Sequence, residues 1–118
     1  MLRYLRRDAG HYCAALASLL GASLVAPPTR AQTEFTAGVV LDKMPPGERY
    51  TFIAGIVEGL AHARYEADGR DTAGRSCIYR WFYDDKSAID HIEQAFARFP
   101  DRLPGSVVGA LIQMRCSA

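Results

Sequence analysis

The sequence lacks every common catalytic signature. It has no G-x-G-x-x-G, no Walker motif, no H-E-x-x-H and no C-x-x-C, and no serine occupies a G-x-S-x-G elbow. Histidine is scarce, and the best-spaced group, His62 with Glu58 and Glu66, lies opposite the apolar stripe of its predicted helix. A solvated helix face explains these three residues better than a metal site does. We therefore expect no enzyme, no bound metal and no cofactor.

The chain also lacks a surplus of charge of either sign. Its 118 residues contain 14 basic and 13 acidic residues, with a formal net charge of +1. Nucleic-acid binding requires a clustered basic surface, and residues 32–118 contain no such cluster. We expect no nucleic-acid partner.

No apolar run is long enough for a membrane-spanning helix, which needs about 20 residues. An apolar run without charge covers 13–25; it follows an arginine-rich start and leads to the small residue Ala31. This order is typical of a secretory leader, so we predict a signal peptide over 1–31 and an exported mature chain over 32–118. An uncleaved membrane anchor is the alternative. Cleavage would change the net charge to −2 and leave no membrane attachment.

Cysteine is rare, and only Cys77 and Cys116 remain after the predicted cleavage. Two cysteines allow a single pairing, and an exported small chain is expected to be oxidised. A Cys77–Cys116 disulfide would close a loop of roughly 40 residues, which stabilises the fold by about 4 kcal/mol in the chain-entropy model. A reduced pair in the cytosol is the alternative.

Hydrophobic periodicity predicts an all-α fold. No run shows convincing period-two alternation, whereas four segments have apolar residues at helical spacing. Ser87 and Asp90 fit a capping box at the start of one of them. We predict one domain, a small disulfide-stapled bundle of about four helices. The segments are a short one within 32–44, then Pro46–Ala67, 87–99 and 104–115.

Glycines predict two local features. Gly69 is well placed to end the long helix, before a polar loop over 68–76. Gly55 and Gly59 lie one turn apart inside that helix, where each glycine costs up to about 1 kcal/mol relative to alanine. The pair suggests that another helix packs very close to this face. Two tolerated glycines are the alternative.

An aromatic stretch is the main candidate for a binding surface. Cys77–Tyr83 contains four aromatic residues, and its periodicity fits either an irregular strand or the first turns of a helix. Tyrosine, tryptophan and arginine dominate interface hot spots. A small chain also needs aromatic residues for its core, which is the competing interpretation. The candidate partner-binding residues are Tyr79, Arg80, Trp81, Tyr83, Asp84 and Asp85.

Several short motifs together resemble a known family. They are F-I-x-G-x-x-x-G-L-A (Phe52–Ala61), Cys77, F-P-D-R-L-P (Phe99–Pro104) and a short apolar helix that ends at Cys116. Over roughly residues 50–118 the chain is similar to the Rap/Tai family of immunity proteins of the type VI secretion system. The resemblance implies a periplasmic, all-helical protein with one disulfide, which forms a homodimer and blocks a secreted peptidoglycan amidase toxin. The aromatic stretch 78–83 is longer than the corresponding stretch in that family.

A second similarity is architectural. Hde-type acid-stress chaperones are also exported, helical, dimeric proteins with one disulfide. The resemblance implies that acid dissociates a dimer and exposes apolar surface, because protonated carboxylates would leave the chain strongly positive. Immunity protein and periplasmic chaperone are the two functions left open by the sequence.

Overall fold

The computed structural model describes residues 35–117, which form five α-helices and one π-helical turn with no strand among them. The all-α prediction is therefore confirmed, while the predicted leader lies outside the described residues. The elements in chain order are α1 (Ala37–Lys43), α2 (Pro46–Ala67), α3 (Ala73–Tyr79), the π-helical turn Arg80–Asp84, α4 (Ala88–Arg98) and α5 (Pro104–Cys116).

Two prolines begin helices where the sequence predicts them. Pro46 and Pro104 occupy the first positions of α2 and α5, where the missing N–H costs nothing because it would have no helical partner. Gly69 follows α2 with a φ of 66°, the left-handed conformation that commonly ends a helix. The neighbouring Arg70 shares this conformation, with a φ of 69°, and its N–H donates to the carbonyl of Tyr65 at 2.8 Å.

The predicted polar loop 68–76 is too long at its C-terminal end. Helix α3 begins at Ala73, whose N–H donates to Asp71 Oδ1 at 2.8 Å. This contact satisfies a backbone donor that has no partner inside the helix. Cys77–Tyr79 continues α3, so the aromatic stretch is helical and not a strand.

The predicted capping box at Ser87 is wrong. Ser87 has helical backbone angles and no side-chain bond to the start of α4. Instead, its N–H and Oγ both donate to Asp85 Oδ1, at 2.9 and 2.7 Å. Hydrogen bonds from Ser87 hold the pKa of the Asp85 carboxyl below its usual value. Asp85, two residues earlier, therefore accepts the hydrogen bonds of Ser87 in the turn before α4, in place of the expected capping box.

All five helices and the π-helical turn contribute buried side chains to the core. Its largest fully buried side chain is Phe96 of α4. The apolar stripe predicted for α2 contributes Ile53 and Val57, whereas Glu58, on the opposite side of that helix, is exposed as expected. None of the described helices combines the length and apolar composition needed to cross a membrane.

The disulfide between Cys77 and Cys116 is present, with 5.8 Å between the two Cα atoms. It joins the middle of α3 to the last residue of α5. Arg64 of α2 reinforces the same corner, because its Nη1 donates to the carbonyl of Cys116 at 3.1 Å. The predicted pairing is confirmed.

The expected close packing at Gly55 and Gly59 is wrong. Both glycines are exposed, and a Cβ added at either position would meet no atom within 4 Å. Close approaches occur instead at Gly74 of α3, where an added Cβ would lie 2.6 Å from Asp68 Oδ2, and at Gly38 of α1, where it would lie 3.1 Å from Pro100 Cβ. The two glycines of α2 thus leave an open helix face.

Candidate functional site: an aromatic surface around Glu58

An exposed carboxylate on α2 gathers aromatic side chains from the end of α3 and the π-helical turn. We call the group Tyr50, Glu58, Tyr79, Phe82 and Tyr83 the Glu58 cluster. It lies where α2 packs against α3, and the π-helical turn joins it through the contacts of Phe82 with Tyr50 and of Tyr83 with Glu58. Short π-helical segments are rare and often occur at functional sites.

The π-helical turn separates its aromatic residues between core and surface. Trp81 and Phe82 are buried, at 8% and 4% exposure, while Tyr83 is 47% exposed. A wider turn shifts the following side chains around the helix axis relative to regular α-helix. The turn therefore anchors itself in the core through one pair of rings and presents another ring to solvent.

Two phenol groups hold the carboxylate of Glu58. Tyr79 Oη donates to Glu58 Oε2 at 2.8 Å, and Tyr83 Oη donates to Oε1 at 2.5 Å. Each carboxylate oxygen thus accepts one hydrogen bond from a tyrosine hydroxyl, and hydrogen bonds to a charged acceptor are stronger than neutral ones. The two bonds fix the side chain of Glu58 and link α2 to the end of α3 and to the π-helical turn.

The rings form a continuous chain of contacts. Tyr50 stacks on Phe82 with 5.7 Å between ring centroids, and Phe82 meets Tyr83 edge to face at 4.9 Å. Tyr79 and Tyr83 are tilted against each other at 6.0 Å. These separations lie in the range at which aromatic pairs attract. The buried Phe82 thus contacts both of the exposed rings, Tyr50 and Tyr83.

The hydrogen bonds set the charge of the cluster. Bonds from Tyr83 first, and then Tyr79, lower the pKa of Glu58. The hydrogen bond to Glu58 is the main cause that raises the pKa of Tyr79, and it raises the pKa of Tyr83 to about 12. At neutral pH the cluster is therefore one carboxylate held by two neutral phenols, a single fixed negative charge on an aromatic surface.

The residues predicted from the aromatic stretch to bind a partner differ in burial and in their contacts. Tyr79 and Tyr83 join the Glu58 cluster, and Arg80 and Asp84 are exposed beside it. Asp85 is half-buried and holds Ser87. Trp81 belongs to the core, so it offers a partner almost no surface, and we exclude it from the candidate site.

Glu58 and Tyr50 also belong to this surface, but the sequence did not predict them there. The two bonds to Glu58 span 21 and 25 residues, and no local pattern encodes contacts of that separation. The only signal was the position of Glu58 on the polar face of α2, which also fits ordinary solvation. Within residues 35–117, no three histidine, cysteine or acidic side chains group as metal ligands.

A second surface lies between α4 and α5. A groove of about 460 Å³ runs along α5, with apolar walls and one charged residue, Arg102. Three large apolar side chains are exposed in this region: Phe99 at 50%, Leu103 at 46% and Met114 at 77%. This groove lacks the hydrogen-bonded polar group that the Glu58 cluster has.

Comparisons of the chain with protein-family models, curated proteins and solved structures gave no significant match. The resemblance to the Rap/Tai family therefore rests on the short motifs quoted above.

Proposed function

We propose that this protein is a periplasmic, immunity-type binding protein that inhibits a partner enzyme by covering its active site. The Glu58 cluster is the proposed contact surface, and the resemblance of the chain suggests that the partner is a peptidoglycan amidase toxin. The carrying observation is the pair of phenol groups that hold an exposed carboxylate in place among exposed aromatic rings.

The composition of the surface supports a protein partner. Tyr50 and Tyr83 are 44% and 47% exposed, and tyrosine is among the residue types enriched at interface hot spots. Their ring contacts and the bonds to Glu58 restrict the side chains before any partner arrives. Ordering such side chains on binding costs little entropy, which favours affinity.

The disulfide supports the compartment. Disulfides form and persist in oxidising environments, including the bacterial periplasm, and are rare in the cytosol. The bridge between Cys77 and Cys116 thus fits the export that we predict from residues 1–31.

The experiment captures the partner and tests its activity. The full chain is expressed with a C-terminal tag, and the exported protein is used to capture partners from periplasmic extract. The captured protein is then purified and assayed for peptidoglycan cleavage with and without the bait. We expect amidase activity that the bait suppresses.

Matched variants locate the contact. Tyr83→Ala is expected to weaken capture at least about thirtyfold, since hot-spot truncations cost about 2 kcal/mol or more. Met114→Ala, which removes an exposed side chain in the α4–α5 groove, should leave it unchanged. A captured protein without peptidoglycan activity, or equal effects of both variants, would contradict the proposal.

An Hde-type chaperone is the second candidate, because the α4–α5 groove offers exposed apolar surface to a non-native client. This function predicts that the protein suppresses light scattering by an aggregating client at acidic pH. It also predicts that Met114→Ala weakens the suppression, whereas Tyr83→Ala does not. Absence of suppression at acidic pH would eliminate this candidate.

A further inference from the structure

We infer that the Glu58 cluster is a receptor for a basic side chain, and that the partner inserts an arginine or lysine at this point. The identity of the molecule that carries this side chain rests on the proposed function. The preference of the cluster for a cation does not, and small probes test it separately.

The carboxylate keeps room for a further partner. An ionised carboxylate has two oxygens and about four lone-pair sites. Tyr79 and Tyr83 donate one hydrogen bond each to Glu58, so each oxygen retains accepting capacity. The two phenols fix the orientation of the group without saturating it.

The charge of Glu58 is not neutralised within the described part of the chain. No lysine, arginine or histidine among residues 35–117 lies within salt-bridge distance of Glu58, whereas Arg49 and Arg64 are paired with Glu93 and Asp68. Arg75, on the neighbouring helix, is placed over the ring of Tyr65, with its guanidinium carbon 4.2 Å from the centroid.

The aromatic rings favour the same class of ligand. A cation within about 6 Å of a tyrosine ring is attracted by the negative face of the π-system. The ring centroids of Tyr79 and Tyr83 are 6.0 Å apart, and both hydroxyls donate to the carboxylate of Glu58. The stacking of Arg75 on Tyr65 shows that the adjacent α2–α3 surface already accommodates a guanidinium in this manner. Carboxylate and ring thus offer a cation two attractions at once.

The approach to Glu58 along α2 is open. Gly55 and Gly59 lie three residues before and one residue after it, and no atom lies within 4 Å of the position of an added Cβ. A long side chain can therefore lie along this bare stretch of helix with its charged end at Glu58. The two glycines would thus keep this path open for a ligand, although no other described helix packs against them.

Arginine is the better fit of the two cations. Its planar guanidinium pairs with carboxylates through parallel N–H bonds and stacks on aromatic faces, whereas the ammonium of lysine is a more strongly hydrated point charge. We therefore expect a guanidinium probe to bind several-fold more tightly than an ammonium probe of similar size.

The test is an NMR titration of the full-length exported protein with N-acetyl-arginine amide and with N-acetyl-lysine amide. N-acetyl-citrulline amide, similar in shape but uncharged, is the control probe. We expect saturable shifts of the ring resonances of Tyr79 and Tyr83 with both cations. Binding should weaken several-fold between about 50 mM and about 500 mM salt, because screening of exposed charges increases with ionic strength.

Two variants separate recognition from structure. Glu58→Gln keeps the size of the side chain but removes its charge, and binding of the arginine probe should weaken at least fivefold while far-UV circular dichroism stays unchanged. His62→Gln, one turn further along α2 and exposed, should bind as the wild type does. Citrulline binding equal to arginine binding, or undiminished binding by Glu58→Gln, would overturn the inference. Partner capture would be unaffected by such a result, so the proposed function fails only in its own assay.

Discussion

Removing the Cys77–Cys116 disulfide is expected to destabilise the domain by about 4 kcal/mol. The two cysteines are 39 residues apart in sequence, and the chain-entropy model for a closed loop of this length yields about 4 kcal/mol at 25 °C. The perturbation is the double variant Cys77→Ala/Cys116→Ala, which removes the bridge without leaving a free thiol. In a domain of this size, each kcal/mol corresponds to about 4–8 °C in Tm, so we expect a decrease of about 16–32 °C.

The remaining contacts of α5 should keep the variant folded at low temperature. Val108 and Ile112 stay packed in the core, and Arg64 still bonds the carbonyl at position 116. A marginal domain has only about 5–15 kcal/mol in total, so the loss is large but need not be complete. The bridge is therefore a major contributor to stability and not the only one.

Urea unfolding provides the assay. Trp81, the single tryptophan of the chain, is buried, and its fluorescence can be followed together with far-UV circular dichroism. The slope of the free energy of unfolding against urea should increase in the variant, since an unlinked unfolded chain exposes more surface. A reductant should destabilise the wild type and leave the variant unchanged. A difference below about 1 kcal/mol would refute the entropic argument.

Four further outcomes follow from the structure. Phe96→Ala should destabilise the fold by about 3–5 kcal/mol in the same urea assay, because Phe96 is fully buried; a loss below 1 kcal/mol would contradict its place in the core. Gly55→Ala and Gly59→Ala should each stabilise it by about 0.5–1 kcal/mol, since both sites are helical and open; destabilisation would indicate a hidden contact. Tyr83 should titrate near pH 12 in ultraviolet absorbance, so its bond to Glu58 contributes stability below about pH 10 that is lost as the pH rises through 12. Glu58 has a lowered pKa, so its share is present above about pH 4.5 and is lost as the pH falls through the folded-state pKa; carboxyl carbon NMR measures it, and an unshifted value would contradict the bonds.

Local chemistry explains which parts of the fold were predictable. Pro46 and Gly69 mark the ends of α2 by constraints that act on the backbone itself, so both ends follow from the sequence. The apolar stripe containing Ile53 and Val57 is likewise a property of one helix. The disulfide was predictable because only one pairing remains once the predicted leader, which contains Cys13, is set aside.

The errors concern features that depend on tertiary context. The same G-x-x-x-G spacing at Gly55 and Gly59 occurs on faces that contact another helix and on open ones, and here the face is open. Ser87 fits a capping box, but in the fold its hydroxyl donates to Asp85 and makes no bond to the start of α4. The secondary structure of the aromatic run could not be predicted from periodicity, because apolar rings occupy nearly every position. Packing against the core decides which of the rings are buried and which are exposed.

The candidate site was half predictable for the same reason. Tyr79 and Tyr83 stand out by composition, in a stretch whose residue types are typical of interfaces. Glu58 lies on a different helix, and its bonds to these tyrosines exist only once α2 and α3 pack together. The charge at the centre of the surface is therefore a product of the fold.

The central claim is that the partner binds at the Glu58 cluster, and photocrosslinking tests it most directly. A benzophenone amino acid is placed at the position of Asp84, which is exposed beside the Glu58 cluster, and, in a separate protein, at that of Met114. Each protein is irradiated in the presence of the captured partner. Met114 is 77% exposed, so poor access cannot explain a missing adduct there. The account predicts a covalent adduct from position 84 and none from position 114. An adduct from position 114 alone would place the binding surface in the α4–α5 groove and contradict the account.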